Sequence, residues 1–138
     1  MSEQHEQQVE QEVAAEFILG TQADLATKRE ALTVAKLQHM ATKHDVQRMQ
    51  AHRIAEAIYN GELGGKNAEE RKDNRAAFEA TDKVMVDTSQ ALHEATNRLV
   101  AAESEYLTAK DRFNAWREVS RIRYQDWHAD HLPSTATF

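Results

Sequence analysis

Bulky apolar side chains recur at every seventh position along the second half of the chain. A small side chain, mostly Ala or Thr, stands three positions after most of them. A seven-residue apolar repeat of this length is typical of an α-helix that supercoils with a partner helix. The small residues would allow the partner to approach closely. The large members of this repeat, which Ser120 interrupts before Trp127, are Phe78, Met85, Leu92, Leu99, Tyr106 and Phe113.

The first half of the chain carries a matching repeat, and a glycine-rich segment separates the two halves. That segment, 60–67, holds three of the four glycines and therefore predicts a turn. Two helices that fold back on each other at this turn would share one antiparallel seam. We call these two repeats the seam. Its large members in the first half are Ile18, Leu25, Leu32 and Val46.

A turn centred on this segment fixes which residues face each other. Large residues then meet small ones across most of the seam, while Lys28 faces Leu99 and His39 faces Thr88. Lys28 could lay its stem on Leu99 and keep its ammonium group in water. The large-to-small pairs predicted in this way are Ile18–Ala109, Leu25–Ala102, Leu32–Ala95 and Val46–Thr81.

We therefore predict an all-α fold, a long antiparallel two-helix hairpin that forms a single domain and assembles into an oligomeric bundle. Asn67 followed by Glu70 has the spacing of a capping box, so the second helix should begin near Ala68. We expect the first helix over about 8–59 and the turn over 60–67. The second helix is expected over about 68–130 and a loose tail over 132–138.

A further set of apolar side chains lies away from the seam. A two-helix hairpin by itself would leave them in water, and exposed apolar stripes usually mark a binding surface. Self-association into a bundle of hairpins is the favoured explanation. A break that folds one helix back onto the pair is the alternative. The set comprises Val34, Leu37, Met40, Ile54, Ile58, Val86, Val100, Leu107, Val119 and Ile122.

The composition agrees with long helices and restricts the chemistry that the chain can perform. The 138 residues include one proline and no cysteine, which excludes disulfides and thiolate catalysis. No apolar run is long enough to span a membrane, and the N-terminus does not resemble a signal peptide. We expect a cytoplasmic protein without a membrane partner.

The chain carries no recognisable catalytic, cofactor or metal-binding motif, so we predict a non-enzymatic protein without cofactor or metal. Its seven histidines include neither Glu-x-x-His nor His-Glu-x-x-His. The segment from Gly61 to Lys66 combines glycines with a lysine, but it lacks the spacing of a phosphate-binding P-loop. Formation of a tight turn accounts for it.

The net charge of −6 conceals two basic clusters, one around the turn and one near the C-terminus. In the second, cations alternate with aromatic side chains. This pattern suits single-stranded nucleic acid, because cations follow phosphates while rings stack on bases. Solvated surface charge is the competing interpretation. The predicted nucleic-acid-binding residues are Lys66, Arg71, Lys72, Arg75, Arg117 and Arg121.

The residues around the turn carry a resemblance to a known group of proteins. The stretch 58–61 ends with an aromatic residue followed by Asn-Gly. The stretch 65–71 has the sequence Gly-Lys-Asn-Ala-x-x-Arg. This pattern resembles small helical-hairpin proteins of bacteriophages. The overall plan is similar, more distantly, to the recombination mediators of T-even phages, which are helical, oligomeric and help load a recombinase onto single-stranded DNA.

The resemblance implies a phage-encoded accessory protein of recombination or replication that acts in the host cytoplasm. Its partners would be further copies of itself, single-stranded DNA and a recombination or replication protein. The alternative is an oligomeric structural or scaffold protein of the virion, or a protein-binding adaptor or inhibitor, with no nucleic-acid contact.

Overall fold

The computed structural model describes residues 2–131, and their side chains except those at positions 2, 11, 14 and 127–131. Nearly all of this range is α-helical and none of it is a strand, which confirms the all-α prediction. The predicted tail at 132–138 and the side chain of Trp127 lie outside the described part. The helices are α1, Ser2–Tyr59; α2, Ala68–Thr81; and α3, Lys83–His131.

The chain forms two compact units. The first contains the residues up to Leu32 and those from Glu103 onward, and the second contains Thr33–Ala102. In the first unit, the beginning of α1 packs antiparallel against the end of α3. In the second unit, the remainder of α1 packs antiparallel against the beginning of α3, and the turn and α2 connect the two.

The prediction of one unbroken helix over about 68–130 is wrong, because the helix is interrupted at Asp82. This residue has an extended backbone, and its N–H donates to the carbonyl of Phe78 at the end of α2. Its side-chain Oδ2 accepts a hydrogen bond from the N–H of Met85 at 3.2 Å. One aspartate therefore ends α2 and supplies the N-cap of α3.

The pairing of α1 with α3 keeps the predicted phase, but its register is displaced by about one heptad. His39 Nε2 lies 3.1 Å from Thr96 Oγ1, where the sequence predicted Thr88 opposite it. Lys28 Nζ lies 3.5 Å from a carboxylate oxygen of Glu105, in place of Leu99. The predicted facing pairs are thus wrong. The break at Asp82 explains the shift, because α3 does not continue the register that the turn would impose on a single helix.

The burial of side chains follows the predicted phase. With the exception of Ala57, every buried side chain of the described residues belongs to the predicted seam or to its small members. The buried members are Thr21, Leu25, Leu32, Val46, Met85, Thr88, Ala95 and Ala109. The remaining large members, Ile18, Phe78, Leu92, Leu99, Tyr106 and Phe113, are half-buried.

The two buried threonines bring polar groups into this seam without leaving them unpaired. Thr21 Oγ1 donates to the carbonyl of Ile18 at 3.0 Å, and Thr88 Oγ1 donates to that of Val84 at 2.6 Å. Each hydroxyl thus donates within its own helix, and the Thr88 hydroxyl also accepts a hydrogen bond from Gln50 of α1 at 2.9 Å. Threonine can occupy a small-residue position of the seam because of this local bond.

The apolar side chains away from the seam are exposed, as the sequence predicted, except for Ile54, which is half-buried. Their exposed fractions run from 37% at Val119 to 66% at Met40. No large side chain of the described residues is fully buried. The core is therefore thin, and much of the apolar surface of the chain is in water.

The turn spans the predicted residues, and two of its glycines have a conformational reason. Gly61 has a φ of +77°, which side chains with a Cβ rarely adopt. A Cβ on Gly65 would lie 2.8 Å from the backbone nitrogen of Arg71, which is closer than packing allows. The backbone of α2 can approach the turn only because position 65 has no side chain.

At the start of α2, one of the two hydrogen bonds of the predicted capping box is formed. The side chain of Asn67 accepts from the N–H of Glu70 at 2.8 Å, and the helix begins at Ala68. The carboxylate of Glu70 accepts from the N–H of Lys66 at 3.4 Å, one residue earlier than the reciprocal bond of a standard box.

Two leucines of the first unit test whether the seam carries its stability. Leu25 is 8% exposed and Leu107 is 55% exposed. We expect Leu25→Ala to lower the free energy of unfolding by about 2–5 kcal/mol, because it leaves a cavity in the seam. Leu107→Ala should change it by less than about 0.5 kcal/mol. Urea denaturation followed by circular dichroism measures both, and equal losses would contradict the assignment of the seam.

Candidate interaction surfaces

The four predicted cations near the turn lie together on the turn and α2, in the second unit, and all are exposed. Two of them already have partners within the chain. Arg71 Nη1 donates to the carbonyl of Gly65 at 3.4 Å, and Arg75 Nε donates to Glu79 at 3.2 Å. Lys66 and Lys72 complete the set.

Carboxylates outnumber cations along α2. Its cations are Arg71, Lys72 and Arg75, whereas its carboxylates are Glu69, Glu70, Asp73 and Glu79. Attraction of a phosphate chain depends on the summed charge of the surface that it meets. The interleaved acids therefore weaken the phosphate-binding interpretation of this cluster.

The two remaining predicted cations lie near the end of α3, in the first unit. The guanidinium carbon of Arg117 is 5.9 Å from the centre of the Phe113 ring, within the range of a cation–π contact. Arg121 is hydrogen-bonded to the carboxylate of Glu118, with 3.1 Å between Nε and Oε2. This bond lowers the pKa of Glu118 and raises that of Arg121. Of the two arginines, Arg117 is thus the better placed to meet a ligand.

An ion-pair cluster that the sequence analysis missed lies between α1 and the α2–α3 junction. Arg53 donates twice to Oδ1 of Asp82, at 3.1 Å from Nε and 2.9 Å from Nη2, and once to Glu62 at 3.0 Å. Its guanidinium carbon also lies 4.9 Å from the centre of the Phe78 ring. One side chain of α1 thereby contacts the turn at Glu62, the end of α2 at Phe78 and the cap of α3 at Asp82.

The sequence contains the signal for this cluster. Arg53 follows Val46 at the seven-residue spacing of the seam, so a cation occupies a position that otherwise carries apolar residues. A charge at such a position requires a partner, because its desolvation is unfavourable when it is unpaired. The hydrogen bond from Arg53 is the main reason that the pKa of Asp82 is lowered, and the same bond raises the pKa of Arg53.

A cleft of about 430 Å³ opens beside a stacked aromatic pair in the first unit. The rings of Phe17 and Trp116 lie parallel, with centroids 4.6 Å apart. Gly20 lines one wall of the cleft, and a Cβ at this position would meet no atom within 4 Å. The other lining residues are Glu16, Thr21, Asp24 and Arg112. The two rings could contact an apolar group of a ligand. Together with the acidic and basic side chains of the lining, they do not form a recognisable catalytic arrangement.

Among the described residues, 2–131, no group of three or more His, Asp or Glu side chains is placed to bind a metal ion. Within the same range, no helix has the length and apolarity needed to cross a membrane.

No family model, curated protein or solved structure matches the sequence. The fold and its surfaces therefore define the class of this protein: an all-α protein built from antiparallel helices, with a thin core and exposed apolar faces.

The ion pair of Arg53 with Asp82 predicts a specific dependence of stability on pH. Because the folded state lowers the pKa of Asp82, the pair stabilises the fold above the usual aspartate pKa. That stabilisation is lost as the pH falls through the lowered value. Asp82→Asn keeps a capping side chain but cannot form the ion pair.

We expect wild type to exceed Asp82→Asn in urea midpoint at about pH 7, and the gap to narrow as the pH falls below the usual aspartate pKa and through the lowered pKa of Asp82. Glu79→Gln, which removes only the exposed pair with Arg75, serves as the control and should show a small gap throughout this pH range. A gap for Asp82→Asn that does not change with pH would contradict the role of the ion pair.

Proposed function

We propose that this chain is a non-enzymatic assembly protein that acts by packing its exposed helix faces against further copies of itself. The observation that carries this proposal is the imbalance between buried and exposed apolar side chains. Only four large apolar side chains are buried among the described residues: Leu25, Leu32, Val46 and Met85. Many more remain in water along α1 and α3.

The energetics favour covering this surface. Burial of apolar surface contributes roughly 25 cal/mol per Å², so a second helix laid along several exposed leucines, valines and methionines gains several kcal/mol. Contiguous exposed apolar surface on a folded protein usually marks an interface. Long helices with regularly spaced apolar residues are also the elements from which helical bundles are built.

The internal hydrogen bonds of several cations weaken the case for a purely electrostatic function, and this favours the assembly proposal. Arg53, Arg75 and Arg121 are each hydrogen-bonded to carboxylates of the same chain. A phosphate would have to compete with these internal partners. The net charge of −6 further reduces nonspecific attraction to nucleic acid.

Sedimentation equilibrium tests the assembly proposal directly. We expect the apparent mass to rise above the 15.7 kDa of one chain as the protein concentration increases. Because apolar surface drives the association, added salt should not dissociate the complex. A single species of chain mass at all concentrations would overturn the proposal, and dissociation by salt would point to ion pairs instead.

A second candidate function is single-stranded DNA binding by an accessory protein of recombination or replication. The observation that favours it is the end of α3, where Arg117 lies over the ring of Phe113 and Tyr124 is 58% exposed. The resemblance of the turn motif to phage helical-hairpin proteins supports the same role.

This second candidate makes a separate prediction for a fluorescence titration with a labelled single-stranded oligonucleotide. Binding should weaken as salt increases, and Arg117→Ala should reduce the slope of log K against log salt by about 1. Lys72→Ala tests the turn cluster in the same way, and Lys83→Ala, which lies outside both predicted sets, is the control. Absence of saturable binding at low salt would remove this candidate and leave the assembly proposal unaffected.

A further inference from the structure

The face of α1 that points away from the seam carries a second series of residues at alternating spacings of three and four. Within the second unit, every residue of this series is exposed. Alternation of three and four is the spacing of a helix-packing seam. We call the series the outer stripe; it comprises Val34, Leu37, Ala41, His44, Arg48, Ala51, Ala55 and Ile58.

The corresponding face of α3 has a different composition. Its residues stand at the same offset of two positions from the α3 seam, and they are also exposed. In the second unit they are Asp87, Gln90, Glu94, Asn97 and Ala101. Polar side chains are the ordinary occupants of a solvated helix face. The outer stripe of α1 is thus a feature of that helix, and α3 provides an internal comparison.

We propose that the outer stripe packs against the outer stripe of a second copy of this chain, with the two α1 helices antiparallel about a twofold axis. This inference rests on the proposed assembly function and names its interface. A twofold contact requires a surface that is complementary to itself. The outer stripe meets this requirement in one register.

In that register the twofold axis crosses the outer stripe at the level of position 46. The sizes of the facing residues on the two copies are then complementary. Leu37 of one copy faces Ala55 of the other, Ala41 faces Ala51, and Val34 faces Ile58 at each end. A large residue therefore meets a small one next to the ends, and two alanines allow close approach nearer the centre. Beside the stripe, Met40, which is 66% exposed, gains a neighbour in Ile54 of the second copy.

The polar residues of the stripe select this register over its neighbours. His44 of each copy faces Arg48 of the other, so both polar pairs lie at the centre. Asp45, whose carboxylate lies 3.7 Å from Arg48 within one chain, supplies the compensating charge. A slip of one heptad would place Arg48 opposite Leu37 or Ala51, where the facing side chain removes water from the guanidinium without supplying a polar partner from the other copy. Polar residues at a central seam position are a known means of fixing register in coiled coils.

The absence of native cysteine makes disulfide cross-linking a clean test of this geometry. Gln47 borders the stripe and lies next to its own copy across the proposed axis, so Gln47→Cys should form a disulfide-linked dimer under mild oxidation. Asn97→Cys, on the outer face of α3, is the matched control. We expect dimer formation at least about tenfold faster for Gln47→Cys, because the interface holds its two thiols at a high effective concentration.

A mixture of Ala41→Cys and Ala51→Cys chains tests the register. The two positions face each other across the interface, so the cross-linked product should be mainly the mixed dimer rather than either homodimer. Equal amounts of the three products, or equal rates for Gln47→Cys and Asn97→Cys, would overturn the proposed interface.

The mass in solution separates this failure from failure of the assembly function. A protein that exceeds chain mass but does not cross-link through Gln47→Cys associates by another face, and only the interface is then wrong. A protein that keeps the mass of one chain at every concentration overturns both. Circular dichroism of each variant verifies that its helices are intact.

Discussion

The carboxylate of Asp82 determines how the helices of the second unit can meet. It caps the first turn of α3 and accepts two hydrogen bonds from Arg53 of α1, while its backbone N–H closes α2. The start of α3 is therefore tied to one level of α1, and the pairing of the later seam residues follows from that point. Because an arginine in the seam is stable only with such a partner, the ion pair and the break in the helix depend on each other.

The seam and the outer faces have different energetic roles: the seam is buried within each unit, and the outer faces are in water. Within each unit, alternation of large and small residues brings α1 and α3 close enough to bury the seam, but the buried surface is limited because two helices share only one contact line. The outer stripe of α1 is mostly apolar, whereas the corresponding outer face of α3 in the second unit is mostly polar. An asymmetry of this kind is expected where one helix contributes to an interface and the other contributes to solubility.

The sequence was sufficient for the properties that depend on periodicity. The all-α class, the seam phase, the turn at 60–67 and the start of α2 at Ala68 all follow from spacing or capping chemistry, which act over a few residues. The register did not follow, because Asp82 can either continue a helix or cap one, and only its contact with the distant Arg53 decides between them. The same limit applies to the predicted cations: spacing identified them, but the internal bonds of Arg75 and Arg121 depend on side-chain geometry.

The single-residue break at Asp82 also bears on how this chain can change in evolution. Each residue of an α-helix turns the chain by about 100° around the helix axis. Inserting or deleting one residue between the cap and Met85 would rotate the rest of α3, and its apolar side would leave α1. Substitutions along the polar outer face of α3 do not rotate the helix in this way. The length of this junction should therefore vary less among descendants of the chain than the chemistry of its surface.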